Sequence, residues 1–252
     1  MNIDSLKKYW LSEENVAHIH GWDFSHINDR YCEEDDLPWD YKEMILSYLK
    51  DSDRILDIDT GGGEFLLSLG HPYTNTSATE GYSPNVKLCE ETLLPLGIDF
   101  RPAADMSQMP FPDNHFDIII NRHGDYDVSE LYRILKPKGI FITQQVGDSN
   151  DRELVDLISP NTPIPFPDKN LQFQSGLFEK QGFKILQGNS AFRPIRFYDI
   201  GALVWFARII EWEFPNFSVE TCFEHLLKAQ KILEENGYVE GTTHRYLIVA
   251  QK

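Results

Sequence analysis

The sequence predicts an α/β protein: a doubly wound, mostly parallel seven-stranded sheet with an antiparallel last strand and a helical cap. Three observations predict it. From about Ile55 to Gly147, short β-type runs alternate with helical stretches, the pattern of parallel β-α-β units. The run Arg54-Ile55-Leu56-Asp57-Ile58-Asp59-Thr60-Gly61-Gly62-Gly63 carries an apolar strand into an acid and a glycine cluster, where backbone can turn sharply into a helix. The chain has 252 residues, 41% hydrophobic and 13% aromatic, enough for one large α/β domain or one domain with a small cap.

The elements follow in order. Strands are expected at 55–58, 77–80, 98–103, 116–121 and 140–144, with helices at 64–69, 84–94 and 127–135 between them. The last of these helices stops at Lys136-Pro137-Lys138-Gly139, because proline and glycine end a helix. A helix at 176–182 leads to a sixth strand at 184–188, and 245–250 is the final strand. Between those two strands, 202–212 is strongly apolar and aromatic and 219–236 is amphipathic. The expected organisation is an N-terminal helical cap at 1–50, an α/β core at 51–197 and 241–252, and a helical cap insertion at 198–240. The proline-rich segment 159–168 reads as an ordered loop.

A net charge of -17, from 40 acids against 23 bases, repels a phosphate backbone, and no basic cluster offsets it. Extended nucleic-acid binding is therefore disfavoured. No window is long and apolar enough for a membrane span, and Met1 to Lys8 lacks the layout of a signal peptide, so a cytoplasmic location is expected. Cys32, Cys89 and Cys222 are widely spaced and read as free thiols. His18, His20 and His26 lie close together near Trp22 and Asp23, but the i, i+2 spacing does not put two imidazoles on one helix face, so no metal site is expected. Trp22, Trp39, Tyr82, Trp205, Phe206 and Trp212 are read as core.

Open parallel sheets bind ligands at the carboxyl ends of their strands. Asp57 with Gly61 and Gly63 closes the first strand and Glu80 the second; Asp105-Met106 lies past the third, and Asn121-Arg122-His123 follows the fourth. An acid at the second strand suits the two hydroxyls of a ribose, and an acid followed by an apolar residue suits the edge and face of an adenine. A dinucleotide fingerprint needs G-x-G-x-x-G, and Leu66 stands at its last place; a P-loop needs a lysine that Gly-Gly-Gly-Glu-Phe-Leu lacks.

These pieces, with Ala78-Thr79-Glu80-Gly81, Ala104-Asp105-Met106, Met109-Pro110-Phe111-Pro112-Asp113 before Phe116-Asp117-Ile118-Ile119-Ile120, and Glu130 to Gly139, resemble the class I S-adenosylmethionine-dependent methyltransferases (the type 11 group) over about residues 40 to 147. The resemblance implies a Rossmann-like fold and S-adenosyl-L-methionine as cofactor. It implies that Gly61 and Gly63 contact the methionine part, Glu80 with Gly81 the ribose, Asp105 and Met106 the adenine, and that Asp57 orients the glycine loop or the ammonium. The family's first glycine place is Asp59 here, whose side chain either crowds the cofactor or holds its positive charge. Two roles are open to Asn121, cofactor contact or satisfying backbone groups at a strand end. Asp57 and Asp105 have bland alternatives too, as a turn cap and a solvated loop acid.

Methyl transfer from a sulfonium is an in-line displacement that mainly needs alignment and exclusion of water. His123, two residues past the fourth strand, is the first candidate for a general base, with Asp125 to orient it. Glu211, between Ile210 and Trp212 in an apolar segment, is the second candidate for acceptor contact, because an acid in such surroundings is either paired or faces a cavity. The expected partner is a small-molecule methyl acceptor. The alternatives are a non-catalytic protein of the same fold, or a methyltransferase acting on nucleic acid or protein.

Overall fold

The computed structural model describes residues 2–18 and 23–252. Along the chain run α1 (Ile3–Val16), β1 (Tyr31–Glu33), α2 (Tyr41–Tyr48), β2 (Ile55–Ile58), α3 (Glu64–Ser68), β3 (Thr76–Glu80), α4 (Ser83–Thr92), β4 (Asp99–Pro102) and β5 (Phe116–Arg122). They are followed by α5 (Val128–Ile134), β6 (Leu135–Val146), α6 (Arg152–Ile158), α7 (Leu171–Gln181), β7 (Lys184–Phe197), α8 (Ile200–Ile209), α9 (Val219–Asn236) and β8 (Val239–Gln251). The strands order as β1-β7-β8-β6-β5-β2-β3-β4. From β6 through β4 the neighbours are parallel, and β8 joins β6 antiparallel. The mostly parallel sheet with an antiparallel last strand is as expected; the three-residue β1, antiparallel to β7, is an eighth strand that the sequence did not suggest.

The chain forms two compact units, and the division falls within β7 and β8. One unit comprises Pro38–Gly147, Asp168–Ala191 and Arg245–Lys252. Its central strand β2 is buried at all four positions, which is why Ile-Leu-Asp-Ile reads as a continuous apolar run rather than an alternation. The core packs Leu56, Ile58, Phe116, Ile119, Phe141 and Phe178 with Tyr246 and Ile248. Parallel register sets Asp57 level with Ala78, Ile58 with Asn121, Glu80 with Pro102 and Arg122 with Gln144, so the polar strand ends share one edge of the sheet.

The other unit comprises Met1–Leu37, Asp148–Pro167 and Phe192–His244. Its core joins Leu6 and Trp10 of α1 to α6, α8 and α9 through Leu154, Leu203, Trp205, Phe214 and Leu226. Helix α9 keeps the expected bounds because both ends carry stop signals: Ser218 accepts from Thr221 N–H, and Gly237 closes the helix at φ +83°. Trp39, Trp205 and Phe206 are buried as expected. Tyr82 and Trp212 are not: Tyr82 precedes the first turn of α4 and is 65% exposed, and Trp212 lies beyond the end of α8 at 43%. His20 and Trp22 lie outside the described residues. Among those described, no helix is long and apolar enough to cross a membrane, and no group of three His, Cys, Asp or Glu is placed to hold a metal.

Candidate functional site

The glycine turn after β2 lies within the Pro38–Gly147 part of its unit, and its shape follows from three positive φ angles. Asp59 takes φ +55°, Gly61 +65° and Gly63 +86°. Aspartate is one of the few side-chain residues that tolerates this region, so Asp59 gives the backbone the turn that glycine would, at about 1–2 kcal/mol. Thr60 N–H donates to the Thr79 carbonyl at 3.0 Å and Gly63 N–H to the Thr60 carbonyl at 3.1 Å, which folds the loop back over β3. A Cβ on Gly63 would press on Leu93 at 2.8 Å, whereas one on Gly61 would meet nothing within 4 Å and project into open space.

Glu80 closes this turn from the end of β3. Its Oε2 accepts Gly61 N–H at 2.8 Å and Asn85 Nδ2 at 3.3 Å; its Oε1 accepts the Gly81 and Tyr82 N–H groups, each at 2.8 Å. Four donors occupy the roughly four lone-pair sites of a carboxylate, and three of them are backbone amides. Asp57 is buried, and its Oδ2 accepts the Thr60 hydroxyl at 2.7 Å. The Asp59 carboxylate accepts the Asp125 N–H and lies against Gly124, where an added Cβ would stand 2.6 Å from Asp59 Cβ and 2.7 Å from its Oδ2.

Asp57, Asp59 and Glu80 therefore bring three acids to one turn, and among the described residues none of them forms an ion pair with Lys, Arg or His. Burial pushes the Asp57 carboxyl up to about 7; the Thr60 hydrogen bond and the nearby Arg122 charge pull it down, while Asp59 and Glu80 add repulsion. Burial and Glu80 push Asp59 up to about 6, against the Asp125 N–H. The Arg122 charge is thus felt at Asp57 without an ion pair, and both aspartates end above their ordinary value.

At the end of β5, Asn121 is fully buried. Its Nδ2 donates to the Ile58 carbonyl at 3.0 Å, and its Oδ1 accepts Gln145 Nε2 at 2.6 Å and the Thr143 hydroxyl at 3.3 Å. These bonds tie β5 to β2 and β6, the bland alternative weighed for this residue. Its neighbour Arg122 extends over the Phe65 ring at 4.6 Å, and Phe65 stacks on Tyr41. His123 takes φ +63°, and its N–H donates to the Gln144 carbonyl at 3.0 Å. Crowding by protein atoms, then the charges of Arg245 and Arg122, push its imidazole down to about 3. The residue keeps solvent-exposed surface, yet with its pKa lowered the ring is neutral at pH 7. Asp125, expected to orient His123, instead pairs with Lys169 at 2.7 Å.

Asp105 is exposed, and hydrogen bonds from the Ser107 hydroxyl and N–H hold its carboxyl below the usual range, while Met106 packs against the core. The apolar setting expected for Glu211 does not hold. Helix α8 ends at Ile209, the Glu211 side chain is 70% exposed, and its partner is Arg208 at 3.9 Å. The buried acid of that segment is Glu213, 4% exposed, its carboxyl pushed up to about 7 by burial against the pull of Arg152. Sequence reasoning also missed Gln144 as a neighbour of His123, and Trp39 as the donor that holds Gln144. Two consecutive glutamines, Gln144 and Gln145, at the end of an otherwise apolar strand were the available signal.

A family model described as a methyltransferase domain matches residues 56–143, from β2 through most of β6. A demethylmenaquinone methyltransferase of Thermus thermophilus is 32% identical over 114 residues, covering 41% of this chain and 52% of that protein. A ubiquinone/menaquinone biosynthesis C-methyltransferase of Neisseria meningitidis is 28% identical over 122 residues, covering 41% and 47%. The chain thus spans about half the length of the curated relatives it matches. Among solved structures, the YcgJ protein of Bacillus subtilis aligns with a TM-score of 0.55 at 20% identity, covering 84% of this chain and 97% of that one, which establishes the shared fold.

Proposed function

We propose, from the premise that the chain belongs to the class I S-adenosylmethionine-dependent methyltransferase family, that it transfers a methyl group from S-adenosylmethionine to a small-molecule acceptor. One observation carries this reading: Asp57, Asp59 and Glu80 meet at the glycine turn without an ion-pairing cation among the described residues. S-adenosylmethionine carries an ammonium and a sulfonium against one carboxylate, and its net positive charge suits a turn that holds acids without an ion-pairing cation.

In this reading the open space beside Gly61 receives the methionine part of the cofactor, and Gly63 keeps α3 close against Leu93. Asp57 holds the loop through Thr60, and Asp59 faces the cofactor's positive charge. Glu80, with Gly81, takes the ribose hydroxyls by exchanging its longest contact, the 3.3 Å bond from Asn85. Asp105 and Met106 take the adenine edge and face, and Asn121 holds the strand ends in register. When bound, the cofactor supplies an electrophilic methyl group; the protein's task is to align the acceptor and exclude water. A small acceptor agrees with the net charge of -17, which disfavours polyanions, and with relatives whose names refer to quinone biosynthesis.

Calorimetric titration with S-adenosylmethionine tests the reading. Saturable heat and a thermal shift are expected; no heat and no shift at millimolar cofactor would leave a fold without the activity. Asp59→Gly separates the two roles weighed for that position: it weakens binding if the charge is used and strengthens it if the side chain crowds the site.

A further inference from the structure

We propose that His123 acts as a neutral hydrogen-bond donor through Nδ1–H, held in that tautomer by Gln144 and Trp39, and that it receives an oxygen of the methyl acceptor. This rests on the methyl-transfer reading for what His123 faces, but the tautomer itself follows from bonds within one unit.

Trp39 Nε1 donates to Gln144 Oε1 at 2.8 Å, and Gln144 Nε2 lies 3.4 Å from His123 Nε2. An indole N–H is a donor only, so the atom it meets on Gln144 must be the carbonyl oxygen, and the amide cannot be flipped. Its NH₂ end then faces His123. Two donors cannot share that contact, so Nε2 of the neutral imidazole is the acceptor and the ring proton sits on Nδ1. Trp39 and Gln144 are both nearly buried at 9% exposure, which fixes the pair in place. The backbone is anchored by the same residue, since His123 N–H donates to the Gln144 carbonyl at 3.0 Å. That bond holds a non-glycine residue at φ +63°, a conformation that persists where its surroundings over-determine it.

Burial among protein atoms, and then the positive charges of Arg245 and Arg122, oppose protonation of the ring, so His123 keeps one proton and gives none up. The role differs from that of a general base: the free lone pair at Nε2 is already engaged by Gln144. An acceptor suited to this arrangement presents a carbonyl, phenolate or enolate oxygen next to the atom that is methylated. Such a molecule loses its proton to solvent water before methyl transfer, a loss that nearby positive charge favours by stabilising the oxyanion, and it needs no proton transfer to His123.

The test is imidazole ¹⁵N NMR on the whole protein labelled at histidine. In the wild type, His123 should show the Nδ1–H tautomer and no titration around the ordinary histidine value of about 6.5. Gln144→Glu replaces the NH₂ donor with an acceptor, so it should move the proton to Nε2 and bring the ring back toward ordinary titration. Trp39→Phe should give a mixture of tautomers, because the amide is then free to flip. An Nε2–H tautomer or an imidazolium at pH 7 in the wild type, or a Gln144→Glu protein with an unchanged ring, would overturn the positioning. For the substrate class, 1,4-naphthoquinol titrated anaerobically into protein saturated with S-adenosylhomocysteine should shift the Nδ1 resonance. Failure to bind, or an unmoved resonance, removes the oxygen-acceptor assignment. Calorimetry with S-adenosylmethionine on the same samples keeps the two ideas apart: the expected tautomer without cofactor binding would remove the methyl-transfer reading and leave the positioning intact.

Discussion

Each unit of this protein gathers buried and half-buried acids, and the two gatherings are resolved in opposite ways. In the unit built from α1, α8 and α9, Glu13 and Asp199 meet Arg30, which donates to both at 2.9 Å and to the Tyr9 hydroxyl at 2.9 Å. His26 Nε2 reaches Glu13 at 2.8 Å, Tyr9 donates to Asp199 at 2.5 Å, and Asp199 accepts Gly201 N–H at the start of α8. Burial pushes Glu13 up, but Arg30 and His26 together more than cancel that push and its carboxyl ends below the ordinary value. In the other unit, Asp57 and Asp59 feel the same push with no ion-pairing cation, and they end above it. A closed network serves stability, because every charge has its partner inside the chain. An open one fits a ligand that arrives with the missing charge.

The contrast breaks most readily in the closed network. Arg30→Ala leaves Glu13 and Asp199 without their cation and should lower stability by about 3 kcal/mol in urea denaturation. A loss below about 1 kcal/mol, typical of exposed pairs, would make this network no more than a surface feature.

In the open network the large effect should fall on ligand affinity. Glu80→Ala removes the acceptor of three backbone amides and one negative charge, and should weaken S-adenosylmethionine about 100-fold by calorimetry, as the loss of a charge-assisted contact implies. An affinity change under about threefold would show that the turn is held without it.

A smaller effect comes from the close approach of Gly124 to Asp59. Gly124→Ala forces a methyl group against the Asp59 side chain and should cost about 1–3 kcal/mol, read as a fall in thermal midpoint. Placed in an Asp59→Gly background, the same substitution should cost much less, with Asn121 Nδ2 at 2.9 Å as the remaining neighbour. Equal costs in the two backgrounds would show that Asp59 and Gly124 are not a matched pair.

The two gatherings also differ in how stability responds to pH. Asp57 and Asp59 hold protons more tightly when folded than at their ordinary value of 3.8, so unfolding releases protons and stability falls as pH rises from there through about 6 for Asp59 and about 7 for Asp57. Glu13 acts the other way: its contribution is present above its ordinary value of 4.5 and is lost as pH falls below it. Without cofactor, the thermal midpoint should therefore decline between about pH 5 and pH 7, and Asp57→Asn should flatten that decline. A decline that persists unchanged in the variant would place its origin elsewhere.

The parallel strands and their polar ends were legible because each is written locally. Ile55–Ile58 is an apolar run bounded by turn residues, and α9 carries a serine at one end and a glycine at the other. Strand β6 begins at Leu135 rather than after Gly139, because Leu135 pairs with Phe116 across an irregularity in register, a long-range contact that no local pattern announces. The far half of β7 and the three-residue β1 depend on each other in the same way, with Tyr31 paired to Phe197. At the site, glycines and acids could be read from motif order, but the Trp39–Gln144–His123 chain could not, since its two contacts span 105 and 21 positions. Glu211 misled for a related reason: the apolar pattern continues past Ile209, where the helix ends, and the burial it suggested belongs to Glu213.

Among the described residues the glycine turn has no ion-pairing cation, and binding of S-adenosylmethionine tests whether a ligand supplies that charge. Calorimetry of S-adenosylmethionine binding near pH 6.5, repeated in buffers of differing ionisation enthalpy, counts the protons exchanged. With Asp57 pushed up to about 7 and Asp59 to about 6, part of each carboxyl is protonated before binding and must ionise to meet the cation. The account predicts net proton release that disappears in the Asp57→Asn, Asp59→Asn double variant. Binding with no proton exchange, or with uptake, would contradict it.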